Sequence, residues 1–153
     1  MAYTIDIDTL ESDDVLNLLQ LHLDEMFAAS PADKVHAMPA ERLREADVTF
    51  YTVRLANELA AVGALKALSP DMGELKSMRA SPSFRGKGAG RALLEHLLEE
   101  ARARGYRWLG LETGRTREFS DARALYERYG FCECKAFNGY VSDEFSMCME
   151  RQL

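Results

Sequence analysis

The sequence predicts a single α/β domain with a mixed sheet, from its length, the order of its periodic segments and one Gly-rich turn. Its 153 residues are the usual size of one compact domain. The 47% of apolar and 29% of charged residues are an ordinary globular balance. Strand and helix patterns follow each other as β-α-α-β-β-β-α-β-α-β-β, without a linker or a repeat. We therefore expect residues 1–153 to form one domain.

The chain begins with a strand and two helices. Residues 3–8 alternate Ile with Asp, which is typical of a strand. Ser12 is placed to cap the next helix, and Ser30-Pro31 ends it. A helical spacing relates its apolar residues, which are Leu16, Leu19, Leu23, Met26 and Phe27. Pro39 suits the first turn of a short helix that runs to residue 46.

Three strands and a long helix form the centre of the chain. Residues 48–55 and 59–68 are expected to form a hairpin around a turn at Asn57-Glu58. A third strand, residues 73–80, follows a break at residues 69–71. Beyond the Gly-rich turn, an amphipathic helix runs to Gly105. The remaining predicted elements are a strand at 107–113, a helix at 119–129, strands at 131–134 and 145–149, and a loop at 136–143.

Charge and apolar patterning exclude several classes of protein. Nineteen Lys and Arg against 25 Asp and Glu give a net charge of −6. This disfavours nucleic-acid binding, because phosphate contacts need clustered cations. The longest apolar run, residues 59–65, is far shorter than the roughly 20 residues that cross a bilayer. The N-terminus is acidic, so we expect no secretory signal and a cytoplasmic protein.

The cysteines and histidines do not predict a metal site. No CxxC pair is formed by Cys132, Cys134 and Cys148. Their odd number, in a chain without a signal, indicates reduced thiols. No zinc-ligand spacing relates His22, His36 and His96. We expect free thiols and no bound metal.

The segment that carries chemistry is a strand, a Gly-rich turn and a helix, between residues 74 and 104. Alternate glycines allow a tight turn at Gly86, Gly88 and Gly90. The turn opens onto a helix N-terminus, whose unpaired N–H groups favour an anion. Three cations surround it, namely Arg85, Lys87 and Arg91. In a chain of charge −6, this cluster predicts a bound phosphate or pyrophosphate. The spacing fits neither a P-loop nor a Rossmann turn.

Three segments, in this order, resemble the GCN5-related N-acetyltransferase (GNAT) family. The turn Arg85-Gly86-Lys87-Gly88-Ala89-Gly90 is similar to the acyl-CoA signature Gln/Arg-x-x-Gly-x-Gly/Ala. Residues 74–80 lie where the family has its central strand, and residues 122–131 resemble its AxxLYxxxGF segment. The resemblance covers nearly the whole chain. It implies one mixed, mostly antiparallel sheet of six to seven strands, with helices on both faces and central strands that splay apart.

The resemblance implies acetyl-CoA as the acyl donor. The pyrophosphate would be held by the loop amides of Arg85, Gly86, Lys87, Gly88, Ala89, Gly90 and Arg91. The pantetheine arm would pair with the backbone of Met78, Arg79 and Ala80. Many members carry an Asn seven residues before the helix tyrosine, whereas this chain has Phe119 there, beside Ser120. We expect Phe119 to pack on the CoA arm in place of that polar contact.

Attack on a thioester requires a neutral amine and a protonated leaving thiolate. By resemblance, Tyr126 is the general acid. Glu74, at the start of the central strand, matches the base of several members and is the residue that we favour as the base. Glu112, near the carboxyl end of the next strand, is the rival base. The amide of Met78 is the family's usual donor to the oxyanion.

The resemblance places the acceptor between the first helices and the last long loop, at residues 27–38 and 137–144. In that loop Tyr140, Asp143 and Glu144 are candidates to attract a cationic amine. The short chain favours a small-molecule amine over a protein tail, and we expect neither a nucleic acid nor a membrane as partner. Whether the chain forms a homodimer stays open. The alternatives are a CoA-binding sensor or interaction module without turnover, and a binder of another phosphate ligand.

Overall fold

A computed structural model describes residues 2–35 and 38–153 of the chain. Within them lie seven strands and four α-helices, in the predicted order. Short 3-10 turns precede α2, α3 and α4. The elements are β1 (Thr4–Ile7), α1 (Asp13–Ala29), α2 (Ala40–Leu43), β2 (Val48–Leu55), β3 (Glu58–Ser69), β4 (Met72–Ala80), α3 (Ala89–Ala103), β5 (Trp108–Gly114), α4 (Ser120–Arg128), β6 (Cys132–Cys134) and β7 (Ser146–Gln152).

The strands form one sheet in the order β1-β2-β3-β4-β5-β7-β6. Every pair of neighbours is antiparallel except β4 and β5, which run parallel. The predicted mixed, mostly antiparallel sheet of six to seven strands is therefore confirmed. The long connection between β4 and β5 contains α3, as a parallel pair requires.

The helices cover both faces of the sheet and define two apolar cores. Helices α3 and α4 pack on one face, over side chains that include Leu75, Leu111 and Met149. Helices α1 and α2 pack on the other face, over Phe50 and Val62. Residues next to each other on a strand point to opposite faces. Glu74 and Leu75 consequently belong to different sides of the sheet.

Local predictions differ from the structure at several places, and the last strand, predicted at 145–149, runs from Ser146 to Gln152. The β2–β3 turn is at Ala56 and Asn57, which both have positive φ, so the turn lies one residue before the predicted Asn57-Glu58. Helix α2 ends at Leu43 instead of residue 46, because Arg44 already closes it. Ser12 stands at the N-cap of α1, but its side chain makes no capping hydrogen bond.

The structure places the three thiols on the two last strands of the sheet. All three cysteines are free, and Cys134 lies directly opposite Cys148 in the β6–β7 pair. Among the described residues, no group of three or more His, Cys, Asp or Glu side chains could hold a metal ion. His36 lies outside the described residues. In the described part of the chain, no helix is both long and apolar enough to cross a membrane.

Candidate active site

The site lies where the two parallel strands separate. Strands β4 and β5 are paired only from Met72 to Glu74 on one side and Trp108 to Gly110 on the other. Both strands continue beyond this point, so a gap opens between their carboxyl ends. The gap holds a cavity of about 90 Å³. It is lined by His22, Met26, Glu74, Leu75, Lys76, Ser77, Met78, Leu111, Glu112, Thr113, Phe119, Ala122, Tyr126 and Tyr140.

A bulge in β4 shapes the edge of this gap. The β3–β4 register shifts between Val62 and Ala64, and Ser77 takes a positive φ of 54° there. A β-bulge inserts one residue and turns the following backbone. Beyond the bulge, Arg79 and Ala80 pair with β3, while the opposite edge of β4 faces the gap and has no ladder partner in β5. This free edge fits the expected role of the 78–80 backbone toward a pantetheine arm.

The side chains of that segment have other partners. Gly63 on β3 leaves room for the Met78 thioether, since a Cβ at position 63 would lie 2.5 Å from Met78 Sδ. The Arg79 guanidinium donates to both carboxylate oxygens of Glu25 on α1, at 2.7 and 2.9 Å. Arg79 therefore links β4 to α1, and the same Glu25 carboxylate also lies 3.5 Å from Arg85 of the Gly-rich turn.

The Gly-rich turn has open space around its glycines and leads directly into α3. Gly86 and Gly88 have φ of 72° and 83°, and a Cβ on either would meet no atom within 4 Å. The Arg85 and Lys87 amides donate to carbonyls of the preceding 3-10 turn. The first-turn amides of α3, beginning at Ala89, have no partner within the helix and are available to an anion. Of the amides expected to hold the pyrophosphate, those of Arg85 and Lys87 are therefore already hydrogen-bonded within the chain.

The cations around the turn differ in their surroundings. The exposed Arg85 guanidinium lies 3.5 Å from Glu25. Lys87 lies over the Phe84 ring, at 5.7 Å from its centroid. Arg91 donates to Glu95, one helical turn away, and to the hydroxyl of Tyr129. All three remain within the predicted cluster, and two of them already have anionic neighbours in this protein.

Phe119 and Ser120 lie at the start of α4. The Phe119 ring rests on the backbone of Gly114, where a Cβ would collide with it, and it also lines the cavity. The Ser120 hydroxyl donates to the Arg117 carbonyl at 2.8 Å and is not part of the lining. The structure therefore brings Phe119 to the cavity but leaves Ser120 outside it.

Tyr126 approaches the gap from the α4 side. It is buried, its ring meets Phe131 edge-on at 5.8 Å between centroids, and it belongs to the same core as Leu111. Burial raises the pKa of its phenol well above the ordinary value. The phenol is thus held in the protonated form that a general acid needs.

Glu74 is the most enclosed polar side chain of the site, with 1% of its surface exposed. Three groups donate to its carboxylate: the Tyr140 hydroxyl at 2.5 Å, Lys76 Nζ at 3.3 Å and Asn138 Nδ2 at 3.4 Å. Lys76 Nζ also donates to the Tyr140 oxygen at 2.5 Å. Glu74 therefore ties β4 to the loop between β6 and β7.

Glu112 points to the same face as Glu74. Glu74 is paired with Gly110, and Glu112 is two residues further along β5. Burial raises the pKa of the Glu112 carboxyl to about 7, although a hydrogen bond with Ser146 and the Lys76 charge oppose this. A carboxyl with this pKa exchanges protons near neutral pH, as a general base must. Glu112, the second candidate base from the sequence, thus lines the same cavity as Tyr126 and Glu74.

Few of the residues predicted to bind the acceptor line the cavity. Its wall on α1 consists of His22 and Met26, just before the predicted residues 27–38, because these two positions face the sheet. Phe27 is largely exposed and outside the lining, and residues 36 and 37 are outside the described residues.

From the predicted loop 137–144, only Tyr140 lines the cavity. Asp143 instead accepts hydrogen bonds from the amides of Phe145 and Ser146, and Glu144 is outside the lining. Sequence reasoning missed His22, Met26, Lys76 and Ser77.

A sheet that splays around a buried tyrosine and two carboxylates, beside a Gly-rich helix N-terminus, is the arrangement that we expect of an acyl-CoA acyltransferase. The family model of the acetyltransferase (GNAT) family matches residues 15–131. The chain belongs to this family, as the turn and the LYxxxGF segment predicted.

The relatives agree with this assignment. The chain is 43% identical to the uncharacterized N-acetyltransferase YsnE of Bacillus subtilis, over 97% of this chain and 99% of the relative. It is 38% identical to the uncharacterized N-acetyltransferase YedL of Escherichia coli, over 94% and 91%. The crystal structure of a candidate acyl-CoA N-acyltransferase from Klebsiella pneumoniae superposes with a TM-score of 0.77 at 29% identity, covering 99% and 97%. The chain is thus an N-acetyltransferase.

Proposed function

We propose that this enzyme transfers the acetyl group of acetyl-CoA to the primary amine of a small molecule, by direct attack of the amine on the thioester. One observation carries the proposal. Tyr126 reaches the gap from the α3–α4 face, whereas Glu112 and Glu74 lie on the opposite face. A thioester in the gap would have a proton donor on one side and proton acceptors on the other.

The surroundings of the gap fit acetyl-CoA. The open turn at Gly86 and Gly88 leads to the first-turn amides of α3, where a pyrophosphate is favoured by N–H groups and helix dipole. The free edge of β4 offers backbone partners to an extended arm. A Bacillus subtilis acetyltransferase of the same fold, at a TM-score of 0.73, was crystallised with CoA. CoA binding at this turn stays a proposal for this chain.

We assign the role of general base to Glu112. We assign Glu74 the role of positioning the loop between β6 and β7, through its hydrogen bonds with Tyr140 and Asn138. The Glu74 carboxylate already accepts hydrogen bonds from three side chains, and one of the donors is a buried ammonium. Proton transfer to it would break this arrangement. Glu112 has a carboxyl pKa near 7, so about half of it is ionised at neutral pH.

The proposed step balances as follows. The amine nitrogen bonds to the carbonyl carbon and loses a proton to the Glu112 carboxylate. The carbon–sulfur bond breaks, and the departing thiolate takes the phenolic proton of Tyr126. Burial keeps the Tyr126 phenol protonated until the thiolate forms, and it disfavours the departing thiolate as well as the phenolate that replaces it. Solvent then carries the proton of Glu112 back to Tyr126 for the next turnover.

A compact acceptor suits the small cavity between the strands. Its volume is about 90 Å³, and Tyr140, which lines it, donates a hydrogen bond to Glu74. The relatives are named for widely different acceptors. One is an IAA acetyltransferase of Azospirillum brasilense, and others are named for the alanine of ribosomal protein bS18. A protein N-terminus is therefore the second candidate acceptor.

A transfer assay separates these acceptors. Acetyl-CoA is supplied with a panel of small primary amines or with short peptides, and CoA release is followed while mass spectrometry identifies the acetylated product. We expect small amines to be acetylated with a higher kcat/KM than peptides. The small-molecule proposal would be wrong if only peptides were acetylated. Turnover of neither class, in protein that is stabilised by CoA, would instead indicate a binding module.

A further inference from the structure

We propose that His22 and Ser77 together bind a neutral hydrogen-bonding group of the acceptor, a hydroxyl or a carboxamide, carried close to its amine. This inference deepens the proposed function and rests on it. It assigns acceptor specificity to two residues that play no part in the chemical step described above. It also predicts which amines the enzyme favours.

The first observation is a pair of buried polar atoms in one cavity. His22 Nδ1 on α1 and Ser77 Oγ on β4 have no hydrogen-bond partner among the described residues, and both side chains line the cavity. Buried polar side-chain atoms are nearly always hydrogen-bonded, because an unpaired one is unfavourable. Thr116 Oγ1 is also unpaired, but Thr116 is outside the lining. Two such atoms in one small cavity indicate a ligand that bonds to both.

The second observation is the backbone of Ser77. A serine with a φ of 54° is unusual, and strained backbone of this kind concentrates at functional sites. The bulge at this residue also places it beside the point where β4 and β5 diverge. The hydroxyl therefore lies next to the place where the amine must reach the thioester.

The third observation concerns charge. Burial and the charge of Arg79 lower the pKa of His22 to about 4, so its imidazole is neutral at pH 7. A neutral imidazole and a hydroxyl can each donate and accept a hydrogen bond. The nearby cations are engaged, Arg79 with Glu25 and Lys76 with Glu74. The pair therefore suits an uncharged polar group.

The carboxylates of the cavity also favour an uncharged group on the acceptor over an anionic one. Glu74 and Glu112 line the cavity together with His22. A carboxylate next to the acceptor amine would lie close to them and be repelled. The site should therefore accept amino alcohols and amino amides and reject free amino acids.

Four amines on one carbon skeleton test this inference. They are isopropylamine, alaninol, alaninamide and alanine, which differ only in carrying a methyl, hydroxymethyl, carboxamide or carboxylate group. Their kcat/KM values are compared per neutral amine, because the four amine pKa values differ. Binding to the CoA-saturated protein is measured in parallel by calorimetry. We expect alaninol and alaninamide to exceed isopropylamine by about tenfold, the value of one to two net hydrogen bonds. Alanine should fall below alaninol by roughly 100-fold or more.

Variants connect the preference to the two residues. His22→Phe and Ser77→Ala should each reduce the ratio of alaninol to isopropylamine to about one to threefold. The double variant should add little, because both residues bond to one group. His96→Phe is the matched control, because His96 packs against Tyr51 outside the cavity and should leave the ratio unchanged. Ser77→Ala keeps the inference testable if His22→Phe does not fold.

The outcomes distinguish this inference from the proposed function. Equal kcat/KM for isopropylamine and alaninol would overturn the inference and leave the acetyltransfer intact. A preference that persists in both variants would also overturn it. Selective binding of alaninol without acetylation would support the inference and contradict the proposed function.

Discussion

Replacing Glu112 by Gln should stabilise the protein above neutral pH while it removes activity. Burial raises the pKa of this carboxyl from 4.5 to about 7. Each unit of pKa shift corresponds to about 1.4 kcal/mol. The ionised carboxylate therefore lowers the free energy of unfolding by about 3 kcal/mol once the pH exceeds 7. Glutamine has a similar shape and no charge, so the variant avoids this cost.

The direction and the pH range of this change in the free energy of unfolding follow from proton binding to Glu112. Between pH 4.5 and 7 the folded protein retains a proton on Glu112 that the unfolded chain has released. The free energy of unfolding of the wild type should therefore fall as pH rises through this range. Below pH 4.5 the carboxyl is protonated in both states. The advantage of Glu112→Gln should be absent there, grow between pH 4.5 and 7, and stay constant above.

Urea unfolding at pH 4.5 and pH 8 measures this difference. Glu58→Gln is the control, because Glu58 is exposed beside the β2–β3 turn and should show no such gain. In transfer assays, the pH profile of wild-type kcat should rise with an inflection near 7. Glu112→Gln should lose the inflection and roughly 10²–10⁴ of the rate. Equal stability of variant and wild type at pH 8, together with near-native activity, would refute both the burial argument and the assignment of the base.

Two further substitutions test the donor site and the positioning role of Glu74. Gly88→Asp adds a carboxylate where the pyrophosphate is expected, with nothing within 4 Å to clash, so CoA affinity measured by calorimetry should be lost. Gly105→Asp is the control, because Gly105 has a nearly equal φ and equally open surroundings at the far end of α3. Equal CoA affinity of the two variants would contradict the assignment of the pyrophosphate to the Gly-rich turn. Glu74→Gln leaves the buried Lys76 without its counter-charge and should lower the free energy of unfolding by roughly 3–5 kcal/mol. The pH profile of its kcat should keep the inflection near pH 7. Loss of the inflection would indicate that Glu74, and not Glu112, is the base.

Local patterns predicted the fold and the donor half of the site. The Gly-rich turn, its helix and the LYxxxGF segment are short contiguous stretches, and their function depends mainly on backbone conformation that glycines and helix ends encode locally. Such features can be read from sequence spacing. The family resemblance then supplied the mixed, mostly antiparallel sheet and the choice of Tyr126 as the general acid.

The acceptor half was harder, because it is assembled from distant residues. The Tyr140–Glu74 hydrogen bond joins positions 66 residues apart, and no pattern along the chain indicates it. His22 faces the cavity because of how α1 packs on the sheet, and Ser77 because of a bulge that shifts the register. The difference between Glu74 and Glu112 is one of burial and hydrogen-bond partners, which the sequence does not specify.

The most direct test of the account is kcat for Tyr126→Phe on an amine that the wild type acetylates. The substitution removes only the phenolic oxygen and keeps the ring against Phe131, so fold and CoA affinity should be nearly unchanged. Without the proton donor, kcat should fall by roughly 10²–10⁴. KM for acetyl-CoA should change far less, because the lost interaction belongs to the transition state. A near-native kcat would show that Tyr126 is a packing residue and that the thiolate receives its proton from another source.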